Sequence, residues 1–203
     1  MMISPEYYYK EYLEGKSQEE IMRQIRSLKR RISGLKRELE ADTPEPKVMM
    51  FPTPLTMIHF NRKYLEKAKQ AYQEAGGEYK PTKAELRDQT FNDSLQHMKR
   101  FVFGYGGCSE GYKTHTFTIS DGKVKSNPWN HARLTAKNFI MGIAEFHIGE
   151  WERKYINNNV PDGTQWSIDI EYDDERKPVH IEGSNAFPYN FRELMRFLEV
   201  KDE

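Results

Sequence analysis

The chain has 203 residues, with 31 basic and 31 acidic side chains and zero formal net charge. That balance excludes a wholesale polyanion binder and a strongly acidic nucleic-acid mimic, while leaving room for a local basic patch. Cys108 is the only cysteine, so an intrachain disulfide and a multi-cysteine zinc site are excluded, and no run is apolar for long enough to span a bilayer.

In chain order, MMISPEYYYKEYLEG lacks the apolar core of a signal peptide, and a reduced, cytoplasmic protein is the expectation. Ser4-Pro5-Glu6 reads as N-cap, first-turn proline and first-turn acid, opening a short helix that carries Tyr7, Tyr8, Tyr9 and Tyr12 and stops at Gly15. Ser17 and Glu20 form a capping box for a long helix over 18–41. Thr43-Pro44-Glu45-Pro46 marks a linker or sharp turn. Residues 48–58 are apolar but interrupted by Pro52 and Pro54 and read as irregular. A helix over 61–75 with Leu65, Ala68 and Tyr72 on one face ends at Gly76-Gly77, and Thr82 with Glu85 caps a short helix near 83–88.

From residue 98 the period shortens. MKRFVFGYG and YKTHTFTIS read as strands, Asp121-Gly122 as a tight turn, and 124–134 as a loop around Pro128. Residues 135–156 place Phe139, Ile140, Ile143, Phe146, His147, Trp151 and Tyr155 at helical spacing. Asp162-Gly163 leads into TQWSIDIEY and the returning strand PVHIEG. A last helix, capped by Asn190 and Glu193, carries Phe191, Leu194, Met195 and Leu198. The expected fold is α+β: an N-terminal helical region (1–47), a helical connecting region (48–97) and a ββαββα domain (98–203). The last would be a four-stranded, mainly antiparallel sheet with two helices on one face.

The long helix is the most informative stretch. Ile21, Ile25, Leu28, Ile32, Leu35 and Leu39 are spaced four, three, four, three, four, an unbroken heptad stripe. At about 100° per residue they occupy roughly an 80° arc, and Arg23, Arg26, Arg30 and Arg37 fall within roughly 60° on the opposite side. Lys29, Arg31 and Lys36 flank the seam, and no acidic residue lies between Ile21 and Arg37. A parallel coil would set Arg31 against Lys36 of its partner and would carry Gly34 mid-helix. The seam is therefore expected to pack on helices of the same chain, or antiparallel on a symmetric mate in a homodimer. The basic face is a solvated surface in the simplest reading. Its arginine bias and its lack of glutamates at i+4 favour a site for phosphates or an acidic groove.

Catalytic signals are weak. His59, His97, His115, His131, His147 and His180 show neither HxH nor HExxH spacing. His147, beside Glu150, reads as a hydrogen-bonded core histidine. Asp169 and Glu171 read as the solvent face of a half-buried strand. Gly104, Gly106, Gly107 and Gly111, around Cys108, fit a hairpin turn rather than a phosphate cradle. The segment GSNAFPYNF, Gly183 to Phe191, reads as a structural corner in which Pro188 fixes the bend and Phe187 and Phe191 fill the core. No catalytic, cofactor or metal site is expected.

The string Asp162-Gly163-Thr164-Gln165-Trp166, then Lys177-Pro178-Val179, then GSNAFPYNF, resembles a family of small proteins carried on mobile elements of Gram-positive bacteria, with a DGTxW strand and a GSNAYPxNF corner. HIGEW (His147 to Trp151), GKSQEEIMRQIRSLKRRI and QEAGGEYKPTKAEL also look like it, whereas 121–138 does not. The resemblance brings no catalytic residue set. It implies an anti-defence role, as an anti-CRISPR inhibitor of a type II effector nuclease. The expected function is a non-enzymatic inhibitor that binds a host nuclease or ribonucleoprotein complex, nucleic acid or both; the alternative is a DNA-binding accessory or regulatory protein of a mobile element. Arg23, Arg26, Lys29, Arg30, Arg31, Lys36 and Arg37 are the expected contacts, with duplex DNA a candidate ligand and no membrane partner.

Overall fold

The computed structural model describes residues 2–41, 51–107, 111–127, 135–159 and 163–200. The linker at Thr43–Pro46, Cys108, the loop around Pro128, His131 and the turn at Asp162 lie outside the described residues. The chain divides into two compact units, Met1–Pro81 and Thr82–Glu203.

Among its described residues the first unit has three helices: α1 (Pro5–Tyr12), α2 (Gln18–Glu40) and α3 (Pro54–Glu74). Their starts follow local chemistry. The Ser4 hydroxyl accepts from Tyr7 N–H, and Ser17 and Glu20 satisfy each other's backbone N–H groups in a capping box. Thr53 accepts from Thr56 N–H with Pro54 at the first helical position. The expected irregular stretch through residue 58 is thus partly helix. Pro54 opens α3 rather than breaking it, because a first-turn proline lacks only an N–H that no carbonyl would have accepted. Gln18 Nε2 donates to the Ala75 carbonyl at 2.6 Å, which sets the start of α2 against the end of α3 and makes the pair antiparallel. Tyr8 is buried, stacked on Tyr64 with ring centroids 4.3 Å apart, and ties α1 to α3.

The second unit is mixed α+β. Helix α4 (Lys83–Ser94) precedes β1 (Met98–Gly107), β2 (Gly111–Ser120) and β3 (Lys123–Asn127); α5 (Ala136–Ala144), β4 (Lys154–Ile156), β5 (Gln165–Tyr172), β6 (Val179–Ser184) and α6 (Phe191–Phe197) follow. The sheet has six strands in the order β3-β2-β1-β5-β6-β4, not the expected four. All neighbours are antiparallel except β4 and β6, which run parallel. The two additional strands correct two readings. Residues 123–127 pair with β2 through the turn at Asp121-Gly122, so 124–127, expected as loop, are strand. The single helix expected over 135–156 is instead α5, a short 3-10 helix at Ile148–Glu150, and β4. His147 sits between the first two with φ 50°, a left-handed conformation that ends the helical path. The helical spacing misleads because Phe139, Ile143, Ile148 and Trp151 are all buried, although they come from successive short elements.

The core lies on one face of the sheet. Phe101, Phe103, Trp166, Ile168, Ile170 and Ile181 point to it and are nearly inaccessible. Phe139 of α5 stacks on Phe117 and meets Phe101 edge-on; Phe191 of α6 packs against Phe103 and Trp166. The GSNAFPYNF corner holds this layer closed. Trp166 Nε1 donates to the Ala186 carbonyl at 2.9 Å, and Gly183 lies so close beneath the indole that a Cβ there would clash at 2.1 Å. One expected role is corrected: Asn190 makes no capping bond, and its amide instead donates to the Phe146 carbonyl at 2.9 Å.

Candidate partner-binding face

Helix α2 is built to display its basic residues. Ile21, Ile25, Leu28 and Ile32 are buried, and Leu35 and Leu39 are half-buried, so the seam is engaged within the chain. The buried stripe fixes the helix's rotation. Arg23, Arg26, Arg30 and Arg37 therefore stand exposed on the outer side, and Arg31 is exposed on the flank beside the seam. At 1.5 Å per residue, Arg23 to Arg37 covers about 21 Å.

Among the described residues, no hydrogen bond or ion pair engages the side chains of Arg23, Arg26, Arg30 or Arg31, and Arg37 Nε donates only to the Ser33 carbonyl at 3.4 Å. Lys29 and Lys36 are different. Both are half-buried, and Lys29 Nζ lies 5.0 Å from the Tyr79 ring centroid, which Lys69 approaches at 5.2 Å. Two ammonium groups over one ring hold Lys29 toward the side of the unit. The structure thus brings the arginines together as one surface and sets Lys29 apart from it. Acidic residues sit only at the helix ends. Glu20, in the first turn, is held below the usual carboxylate pKa by hydrogen bonds from Ser17, first its backbone N–H and then its hydroxyl.

The other residues considered for chemistry are separated. Asp169 and Glu171 lie on the open face of the sheet, as alternation predicts, and each has a partner there. Arg100 meets Glu171 at 3.0 Å, and His180 Nδ1 meets Asp169 at 2.6 Å across the β5–β6 pair. His180 also faces Glu182 at 3.4 Å, and Lys154 reaches Glu182 at 2.7 Å. The bond to Asp169, more than anything else, raises the His180 pKa above its ordinary value. Spacing along the sequence misses this network. The signal that could have found it is hairpin register, which places Asp169 opposite His180 once Ile168 is set opposite Ile181. His147 does meet a carboxylate, but the first is Asp88 on α4, at 2.6 Å and 59 positions away. His97 faces Asp173 and Asp174, each at 3.3 Å, at the surface.

No protein-family model, curated protein or solved structure matches the chain. No helix among the described residues is long and apolar enough to cross a membrane.

Proposed function

We propose that the chain is a non-enzymatic anti-defence protein that binds and inhibits a host nuclease complex, the type II CRISPR effector. Helix α2 makes the contact. Arg23, Arg26, Arg30 and Arg37 engage the target's acidic surface or its bound nucleic acid, with Arg31, Lys29 and Lys36 on the flanks. One observation carries the reading. The apolar side of α2 is taken up inside its own unit, while four exposed arginines form no salt bridge among the described residues, Arg23 acting on Glu20 through its charge alone. Guanidinium groups pair carboxylates and phosphates bidentately, and a row of them along one rigid helix suits an extended anionic surface. The choice of an effector nuclease rests on the DGTxW and GSNAFPYNF resemblance; the chemistry alone asks for an anion-rich partner.

The test is a pull-down from a lysate containing a type II effector, with and without nuclease treatment. A variant carrying R23A, R26A, R30A and R37A is run alongside. Wild type should retain the effector and block target cleavage, and the variant should do neither. Inhibition by the variant at the wild-type level, or no capture by wild type, would end this reading. A shift of bare duplex DNA without any protein target would favour the DNA-binding accessory role, to which the same arginines are suited.

A further inference from the structure

The second unit carries a cluster that the arginine face does not use. Asp88 on α4, His147 at the end of α5 and Glu150 in the 3-10 helix bring one ligand atom each within 4.8 Å of one another. His147 Nδ1 and Asp88 Oδ2 are 2.6 Å apart. The other oxygen of the same carboxylate, Asp88 Oδ1, is buried without a hydrogen-bond partner, on a residue only 8% exposed. Trp151 Nε1, Asn92 Oδ1 and Asn190 Oδ1 are likewise buried without a hydrogen-bond partner, but of the four such atoms only Asp88 Oδ1 belongs to a residue of this cluster. Buried polar groups are nearly always satisfied, and a carboxylate oxygen left over calls for a water or an ion. The exposed cluster of His97, Asp173 and Asp174 has no such orphan.

We propose that Asp88, His147 and Glu150 bind a divalent transition-metal ion, with Zn²⁺ as the representative. One imidazole and two carboxylates suit the borderline cations. Three protein ligands leave one position for water, the arrangement of an open zinc site. Tetrahedral ligand atoms lie about 3.3 Å apart for bonds of about 2 Å. The three ligand atoms, which lie within 4.8 Å of one another, therefore have to draw toward that spacing, and the His147–Asp88 pair to open from 2.6 Å, both within reach of side-chain rotation. Gly149 lets the two backbones touch: a Cβ there would come within 2.5 Å of Asp88 Cα and 2.9 Å of the Arg87 carbonyl oxygen. The ion would clasp α4 to the turn at 146–151.

The test is calorimetric titration of Zn²⁺ into the chelator-treated full-length protein, beside E150Q and H97A variants. Glu150→Gln removes one ligand but leaves the His147–Asp88 hydrogen bond, and circular dichroism confirms that its fold is kept. The expected result is one equivalent bound by wild type, affinity lower by roughly tenfold or more in E150Q, and no change in H97A. Three results would overturn the proposal: no binding by wild type, equal binding by wild type and E150Q, or loss of binding in H97A. In those cases the His147–Asp88 pair is a hydrogen bond only.

Discussion

At the scale of single residues, His180 shows how an exposed side chain couples to the sheet beneath it. Its folded pKa is raised above the ordinary 6.5, chiefly by Asp169. A raised histidine stabilises the fold when protonated. Its contribution is therefore complete below pH 6.5 and is lost as pH rises through the folded value. Chemical denaturation followed from acid to alkaline pH should show this loss in wild type, and His180→Gln should flatten that part of the profile. A second residue-scale expectation concerns Trp166. Trp166→Phe leaves the Ala186 carbonyl without its donor and should cost about 1–3 kcal/mol of stability by denaturant melting. Burial is legible in the sequence at this scale, since Phe191, Leu194 and Met195 are core as their spacing implies. Partnership is not: Asp88 and His147 are 59 positions apart, and no periodicity links them.

Among the elements, α2 is the most readable, because Ser17 and Glu20 write its cap and a single helical period sets both its seam and its outward arginines. Gly34 is its weak point. A Cβ there would meet nothing within 4 Å, so Gly34→Ala should stabilise the unit by up to about 1 kcal/mol, visible as a raised melting temperature. Ile25 is 1% exposed, and Ile25→Ala should cost about 2–5 kcal/mol. Comparing the two variants separates helix propensity from seam packing. The start of α3 and the interval 135–156 mislead for opposite reasons. Pro54 has the look of a breaker, but its position makes it an opener. The aromatic run has the spacing of one helix, but a left-handed His147 and the close approach of Gly149 to α4 divide it. The determinants of that division are tertiary, and a period of 3.6 carries no trace of them.

For the whole molecule, charge and topology matter through their distribution. With 31 charges of each sign the protein has no net charge to draw in a polyanion, so the distribution of its charges matters more than their sum, and the arginine face is the contact proposed above. If four phosphates are neutralised there, affinity for duplex DNA should fall with a log–log salt slope of about −3.6, at about −0.9 per phosphate. The variant carrying R23A, R26A, R30A and R37A should lose that dependence in a filter-binding series. The α+β class is visible because strands and helices segregate along the chain. The sheet's full width is not, since β4 is only three residues long and pairs in parallel with a distant strand. The layer that closes this sheet also gives the protein an optical signature. All three tryptophans, Trp129, Trp151 and Trp166, fall after Pro81, and Trp166 lies at the centre of an aromatic cluster with Trp151, Tyr155 and Phe191. The first unit has tyrosines but no tryptophan. Emission from the indoles is therefore a private channel for the second unit, and its red shift on unfolding reports that part of the protein without any label.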